Sequence, residues 1–253
     1  MNDKSKSKYE EKMNSMFTEL NNLNYTIDKE GNLISAIPCL NSRHIDMTKY
    51  KLILEKIYKY IKYNLFLKYE MKKARILPPN KDYFFSSKLI EKTSSHLINK
   101  LILVINDIHN KVGVFSKTNL LFDNINNGSI FPLIEISENK NFPLILLNPK
   151  KKIDEYLDNF WKIYIKNQLK YLHNIIIIVQ GMSSIPLIRL LRNNKRDFEE
   201  KITKIIMIDS KHKKYYQILD DDLKKEFMNK CTNYILSDEP FGHLISSNVN
   251  SLE

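Results

Sequence analysis

The sequence predicts an α/β fold in which a mainly parallel sheet carries helices on both faces. Three observations support it. Short, nearly uninterrupted apolar runs recur: "KLILVIN" (Lys100 to Asn106), "FPLILLNP" (Phe142 to Pro149), "NIIIIVQ" (Asn174 to Gln180) and "ITKIIMIDS" (Ile202 to Ser210). Strands without polar alternation are those buried on both faces, as in a covered parallel sheet. Stretches of helical character stand between these runs, so right-handed strand–helix–strand crossovers are expected. Apolar residues make up 43% of the 253, enough for a core, and no apolar run is long enough to span a membrane.

Taken in order, residues 1–16 are polar and read as a disordered tail. Residues 17–98 read as an extension made of a hairpin and a helix. Asp28 to Gly31 supply the hairpin turn, flanked by Tyr25, Ile27, Leu33 and Ile34. From Lys51 to Tyr69, Ile53, Ile57, Ile61 and Leu65 recur at helical spacing, and the two prolines of "ILPPNKD" end that element. Residues 99–240 form the predicted core. Its helices are "FPLIEISEN", with Pro132 tolerated in the first turn, then Ile153 to Leu172, a helix from about Ser184, and Asp220 to Cys231. "TNYILS" (Thr232 to Ser237) is a last short strand, and 241–253 a polar tail.

Lys and Arg number 40 against 29 Asp and Glu, a net charge of +11. Such a surface can hold phosphate backbones non-specifically. The favoured reading is a solvated lysine coat, since Lys and Asn are both favoured by AT-rich coding. The two cysteines, Cys39 and Cys231, stand far apart and give neither a disulfide framework nor metal-ligand spacing. No cofactor is expected. The start "MNDKSKSKYEEKMNS" has no apolar signal region, so a nuclear or cytoplasmic location is expected.

In an open parallel sheet, ligands sit at the carboxyl ends of the strands. "VINDIH", "LLNPK", "IVQGMSS" and "MIDSKH" should therefore lie side by side. A serine hydrolase of the α/β type presents its nucleophile on a sharp strand-to-helix turn, with small residues two before and two after it. By position that slot falls on Gly181, which has no side chain to attack with. Shifting to Ser183 places Gly181 two before but Ile185 two after, where a branched side chain disfavours the turn. Ser183 and Ser184 are expected instead to cap the helix that begins beside Pro186. The first-strand loop, where glycines would admit an oxyanion, reads Asn106-Asp107-Ile108-His109. Asp209 ends a strand where a catalytic acid or a turn residue would serve equally. His212 follows closely, His243 lies in the tail, and His44, His96 and His173 suit surface or structural roles.

The segments "LNYTIDKEGNLI", "KLILVINDIHN", "FPLILLNPK", "IIIIVQGMSS", "KIIMIDSKH" and "CTNYILSDEP" together resemble the Argonaute-binding, or Arb-two, domain family, from about Phe17 to Pro240. That family includes fungal siRNA-chaperone subunits, metazoan cotranscriptional regulators and a domain appended to some fungal histone deacetylases. The resemblance implies an α/β-hydrolase-like fold with a short N-terminal extension. Active-looking relatives carry His-Ser-Tyr-Gly-Gly at the turn, which falls on Gln180, Gly181, Met182, Ser183 and Ser184, so the family's serine lands on Gly181. The family's His-Gly-Ser-Gly falls on Asn106 to His109, its Asn-Pro on Asn148 and Pro149, and its Asp-Ser-x-His on Asp209, Ser210 and His212. No later histidine-bearing segment is recognisable.

The resulting expectation is a catalytically inactive hydrolase fold used as a protein-interaction module. By resemblance, partners would be Argonaute or chromatin and RNA-processing machinery, with no membrane. Two alternatives stand beside it. One is a divergent serine hydrolase using Ser183, with Asp209 as acid and His212 or His243 as base. The other is a basic nucleic-acid-associated protein. The remnant site would comprise Asn106, Asp107, Asn148, Gly181, Met182, Ser183, Asp209 and His212.

Overall fold

A computed structural model describes residues 3–36, 47–76, 83–91, 99–149, 152–211 and 215–235. Nine strands are found among them: β1 Tyr25–Ile27, β2 Leu33–Ser35, β3 Lys72–Arg75, β4 Tyr83–Ser86, β5 Lys100–Ile105, β6 Leu144–Leu147, β7 Asn174–Gln180, β8 Ile202–Ile208 and β9 Cys231–Tyr234. The α-helices are α1 Asp3–Asn21, α2 Met47–Leu67, α3 Lys117–Phe122, α4 Ile125–Gly128, α5 Phe131–Asn139, α6 Ile153–Phe160, α7 Ser184–Asn193, α8 Lys195–Lys201 and α9 Asp221–Lys230.

β1 and β2 pair as the expected hairpin, and the other seven strands form one sheet in the order β3-β4-β6-β5-β7-β8-β9. β6, β5, β7, β8 and β9 run parallel, while β4 is antiparallel to both its neighbours. An antiparallel pair at one edge, a single crossover at β6-β5 and a unidirectional remainder make an α/β-hydrolase-like sheet. The carboxyl ends of β6, β5, β7 and β8 are therefore neighbours, as the sequence predicts.

Two apolar layers sandwich the sheet. On one face, Leu103, Ile145, Ile177 and Ile205 meet Phe160, Leu187, Leu191 and Phe227 from α6, α7 and α9. On the other, Val104, Leu146 and Ile102 meet Ile57, Ile61, Leu121 and Ile134 from α2, α3 and α5. Burying one such side chain fully is worth roughly 1.5–3 kcal/mol, so these layers dominate the fold's stability. The sole tryptophan, Trp161, is buried and donates its indole N–H to Asp197 at 2.9 Å, fastening α6 to α8.

Four expectations need correction. Residues 3–21 are helix, not a disordered tail. Tyr9 stacks on Phe66, and Met16 and Leu20 are buried, because the few apolar residues lie on one side of the helix. Second, the core does not start at residue 99. β3 and β4, from the predicted extension, pair into the main sheet as its antiparallel edge. Third, the helix over Ile153 to Leu172 does not run through: α6 widens at Trp161–Gln168 into a π-helix that ends at Leu169. The wide turn, closed by Leu169 N–H to Tyr164 O at 2.7 Å, keeps Trp161, Ile165 and Leu169 against the sheet. The buried Lys201 ammonium donates to the carbonyls of Lys170 and Leu172 at 2.9 and 3.3 Å, satisfying groups beyond its end. Fourth, β9 begins at Cys231 and ends at Tyr234, and the rest of "TNYILS" beyond Ile235 lies outside the described residues, as does the tail 241–253. The helix expected over Lys51 to Tyr69 is α2, shifted a few residues toward the N-terminus.

Candidate functional site

The turn after β7 has the shape a nucleophile would need. β7 passes through a single turn of 3-10 helix, Gly181–Ser183, directly into α7. Gly181 takes φ +55, in the left-handed region where a side chain is strained, and that is the strained strand-to-helix bend on which such folds display a serine. Here the bend is present and the side chain is not.

What fills the space is Asp107, from the loop after β5. Its Oδ2 accepts the Met182 backbone N–H at 2.8 Å. A Cβ added at Gly181 would overlap that oxygen and lie 2.9 Å from the Asp107 carboxyl carbon. In an acting hydrolase the N–H of the residue after the nucleophile points at the developing oxyanion. Asp107 thus places a carboxylate where both the nucleophile's side chain and the substrate's oxyanion would stand. Its other oxygen accepts the His109 N–H at 2.7 Å, and the Asp107 carbonyl accepts from Asn110 N–H at 3.0 Å, a tight local turn that aims the side chain at the bend. The block in this loop is Asp107, and the sequence carried a signal for it: an acid stands where the resembled family has an oxyanion glycine.

The surrounding polar groups are spent on holding this arrangement. Asn106 is fully buried; its side chain donates to Val114 O at 2.9 Å and accepts Gly113 N–H at 3.0 Å, closing the loop on itself. Gln180 donates to the Phe115 carbonyl and accepts from the Asn110 side-chain amide at 3.3 Å. Asn148, at the end of β6, donates its backbone N–H to the Tyr156 hydroxyl at 3.2 Å, which in turn donates to Tyr83 O at 2.9 Å. Burial pushes the Tyr83 phenol up, opposed by its hydrogen bond with the Asn148 side chain. Asn148 therefore braces β4 against α6.

Ser183 is fully buried, and its Oγ donates to the Asn106 carbonyl at 2.6 Å. Ser184 Oγ donates back to Gly181 O at 2.7 Å. Neither hydroxyl caps α7: Ser183 occupies the cap position in a helical conformation that turns its side chain away from the helix amides, and it makes no cap hydrogen bond. This corrects the capping expectation. Both serines staple the bend instead, one to β5 and one to the turn itself.

Asp209 lies one residue past the register pair Gln180–Ile208, so it is adjacent to the bend along the sheet edge. It has φ +46, an exposed carboxylate 3.6 Å from Lys211 Nζ, and a backbone N–H donated to Tyr234 O at 2.8 Å. That is the geometry of a turn residue. His173 is exposed, as expected of a surface residue. His44, His96, His212 and His243 lie outside the described residues. Among the described residues no set of His, Cys, Asp and Glu is grouped to hold a metal, and no helix is long and apolar enough to cross a membrane.

Comparison with known families bears directly on residues 150–241, which match the model of the Arb2 domain. The match takes in β7, the Gly181 bend, β8 and β9, in agreement with the resemblance read from the sequence. No curated protein matches in sequence. Among solved structures, a histone deacetylase from Saccharomyces cerevisiae superposes with TM-score 0.51 at 15% identity, covering 73% of this chain and 80% of that one. It shares the fold. A putative esterase from Staphylococcus aureus gives TM-score 0.38 at 13% identity over 76% of this chain and 62% of that chain, too slight a likeness to weigh.

Proposed function

We propose that this Arb2-domain chain is a hydrolase fold without hydrolase chemistry, retained as a protein-interaction module. One observation carries the reading: the Asp107 carboxylate accepts the Met182 N–H and occupies the space beside Gly181. Acyl transfer needs a nucleophile and a vacant, electropositive cradle for the oxyanion. A glycine supplies no nucleophile, and a carboxylate in the cradle opposes a second negative charge there. Both losses disable the same step, and neither is repaired by Ser183, whose hydroxyl is buried and committed to Asn106.

Partners in RNA-silencing, chromatin or RNA-processing assemblies, in the nucleus or cytoplasm, are the classes consistent with the Arb2 match. Fold-level likeness alone does not select among them. A fluorophosphonate probe tests the reading. Purified protein should remain unlabelled. Labelling that disappears in Ser183→Ala would establish the divergent serine hydrolase in its place. Retention on an RNA column that collapses between low and physiological salt would favour the basic nucleic-acid role.

A further inference from the structure

Resting on the reading as an interaction module, we propose that its partner surface is the α2/α5-side face of β7, β8 and β9, and that the partner presents an acidic amphipathic helix. The observation is a gradient of burial along register-paired residues that all point to that face. Val104 on β5 is fully buried and Ile178 on β7 is 8% exposed, whereas Ile206 on β8 is only partly covered. One row further on, Gln180 and Ile208 lead to Tyr234, which is 50% exposed. α2, α3 and α5 pack over β5 and β6, and Ile178 of β7 is still inside that buried layer, while Ile176, Ile206 and Ile208 sit only partly covered at its edge. On the opposite face of the same strands, Ile177, Ile205 and Met207 are fully buried.

The face has a floor and a rim. Next to Ile176 lies a cavity of about 80 Å³ between Phe142, Ile102 and the stem of Lys100. That is smaller than the cavities that take an aromatic ring and suits the end of one aliphatic side chain. Lys204 pairs in register with Ile176, and Lys100, the first residue of β5, pairs in register with Asn174 of β7, its ammonium over the Phe142 ring at 5.0 Å. Neither lysine is in an ion pair among the described residues. An apolar floor flanked by two cations outside any ion pair among the described residues matches a helix that buries a stripe of Leu or Ile and carries Glu or Asp beside it. A phosphate backbone would leave the isoleucines uncovered. A second copy would bring Lys204 and Lys100 toward like charges in a chain of net charge +11.

The test uses the full chain and a fluorescein-labelled, designed 18-residue peptide with leucines at helical spacing and glutamates elsewhere, followed by anisotropy. Saturable binding is expected. It should weaken at least tenfold in Ile206→Glu and in Lys204→Glu, checked for native circular dichroism, and fall as salt is raised. A scrambled peptide of the same composition should not bind. Absence of binding, equal binding of the scrambled peptide, or indifference to both substitutions would overturn the proposal. So would photo-crosslinks from position 206 that reach residues 236–253 of the same chain or a second copy before peptide is added. Lys100→Glu, at an exposed position, provides a variant that does not depend on tolerance at the floor. Fluorophosphonate labelling is read on the same sample: labelling sinks the inactive-fold reading whatever the peptide does, whereas failed peptide binding without labelling sinks only this surface.

Discussion

The carboxyl end of β7 and the α2/α5-side face of β7–β9 lie within one part of the sheet, and the chain treats them in opposite ways. The bend at Gly181 is filled from inside: Asp107, Ser183, Asn106 and Gln180 spend their hydrogen bonds on one another and on backbone. The adjoining face of β8 and β9 is left partly uncovered at Ile206, Ile208 and Tyr234. Where a reactive protein would keep a crevice open, this one has closed it; where a self-sufficient domain would lay a helix, the described residues lay none. On the proposed reading, a scaffold without hydrolase chemistry needs no empty pocket, whereas a binding module needs an exposed surface.

The contrast is sharpest if the two faces of one strand pair are compared by substitution. Ile177→Ala, in the fully covered layer, should cost about 2–5 kcal/mol in chemical denaturation, since a buried isoleucine leaves a cavity behind. Ile206→Ala, on the open face, should cost less than about 1.5 kcal/mol. Equal costs would mean that the face is covered after all. Next in size, Asp107→Ala removes a charged acceptor from the Met182 and His109 amides and should cost roughly 1.5–3 kcal/mol, with faster hydrogen exchange at Met182. Ser183→Ala should cost about 1 kcal/mol, because the Asn106 carbonyl loses one partner.

The smallest effect is kinetic. On β9, Cys231 pairs in register with Ile205 and shares the covered face, while Thr232 pairs with Ile206 and shares the open one. Burial pushes the Cys231 thiol up to about 12 from its usual 9.0. Raised above its unfolded value, this group supports the native state fully below about pH 9 and ceases to do so as pH climbs toward 12. In a Cys39→Ser background, Cys231 should react slowly with a thiol reagent at pH 8, and Thr232→Cys should add one fast-reacting thiol.

Much of this was legible in the sequence, for physical reasons that also explain what was not. β5, β6, β7 and β8 announce themselves because strands buried on both faces can tolerate almost no polar residue, and the vacancy at Gly181 follows from counting past the last β-branched residue of β7. α1 was hidden by its Lys and Glu content, although Tyr9, Met13, Met16, Phe17 and Leu20 recur at helical spacing and are the residues that touch α2 or are shielded by it. β3 reads as "KKAR" because an edge strand need bury little, and nothing local marks it as part of the sheet. At the site, the sequence located Asp107 but not its direction. That direction depends on the turn made with His109 and Asn110 and on how β5 sits beside β7, both properties of the assembled sheet.

The central claim is that one carboxylate stands where a nucleophile's side chain would have to be. It is measured most directly by a double-mutant cycle between Gly181→Ala and Asp107→Ala, read by chemical denaturation. With Asp107 present, the new methyl group must displace the carboxylate from the Met182 amide; with Asp107 gone, only the strain of φ +55 remains. The account predicts that the cost of Gly181→Ala falls by at least about 1 kcal/mol in the Asp107→Ala background. Two costs that simply add would contradict it.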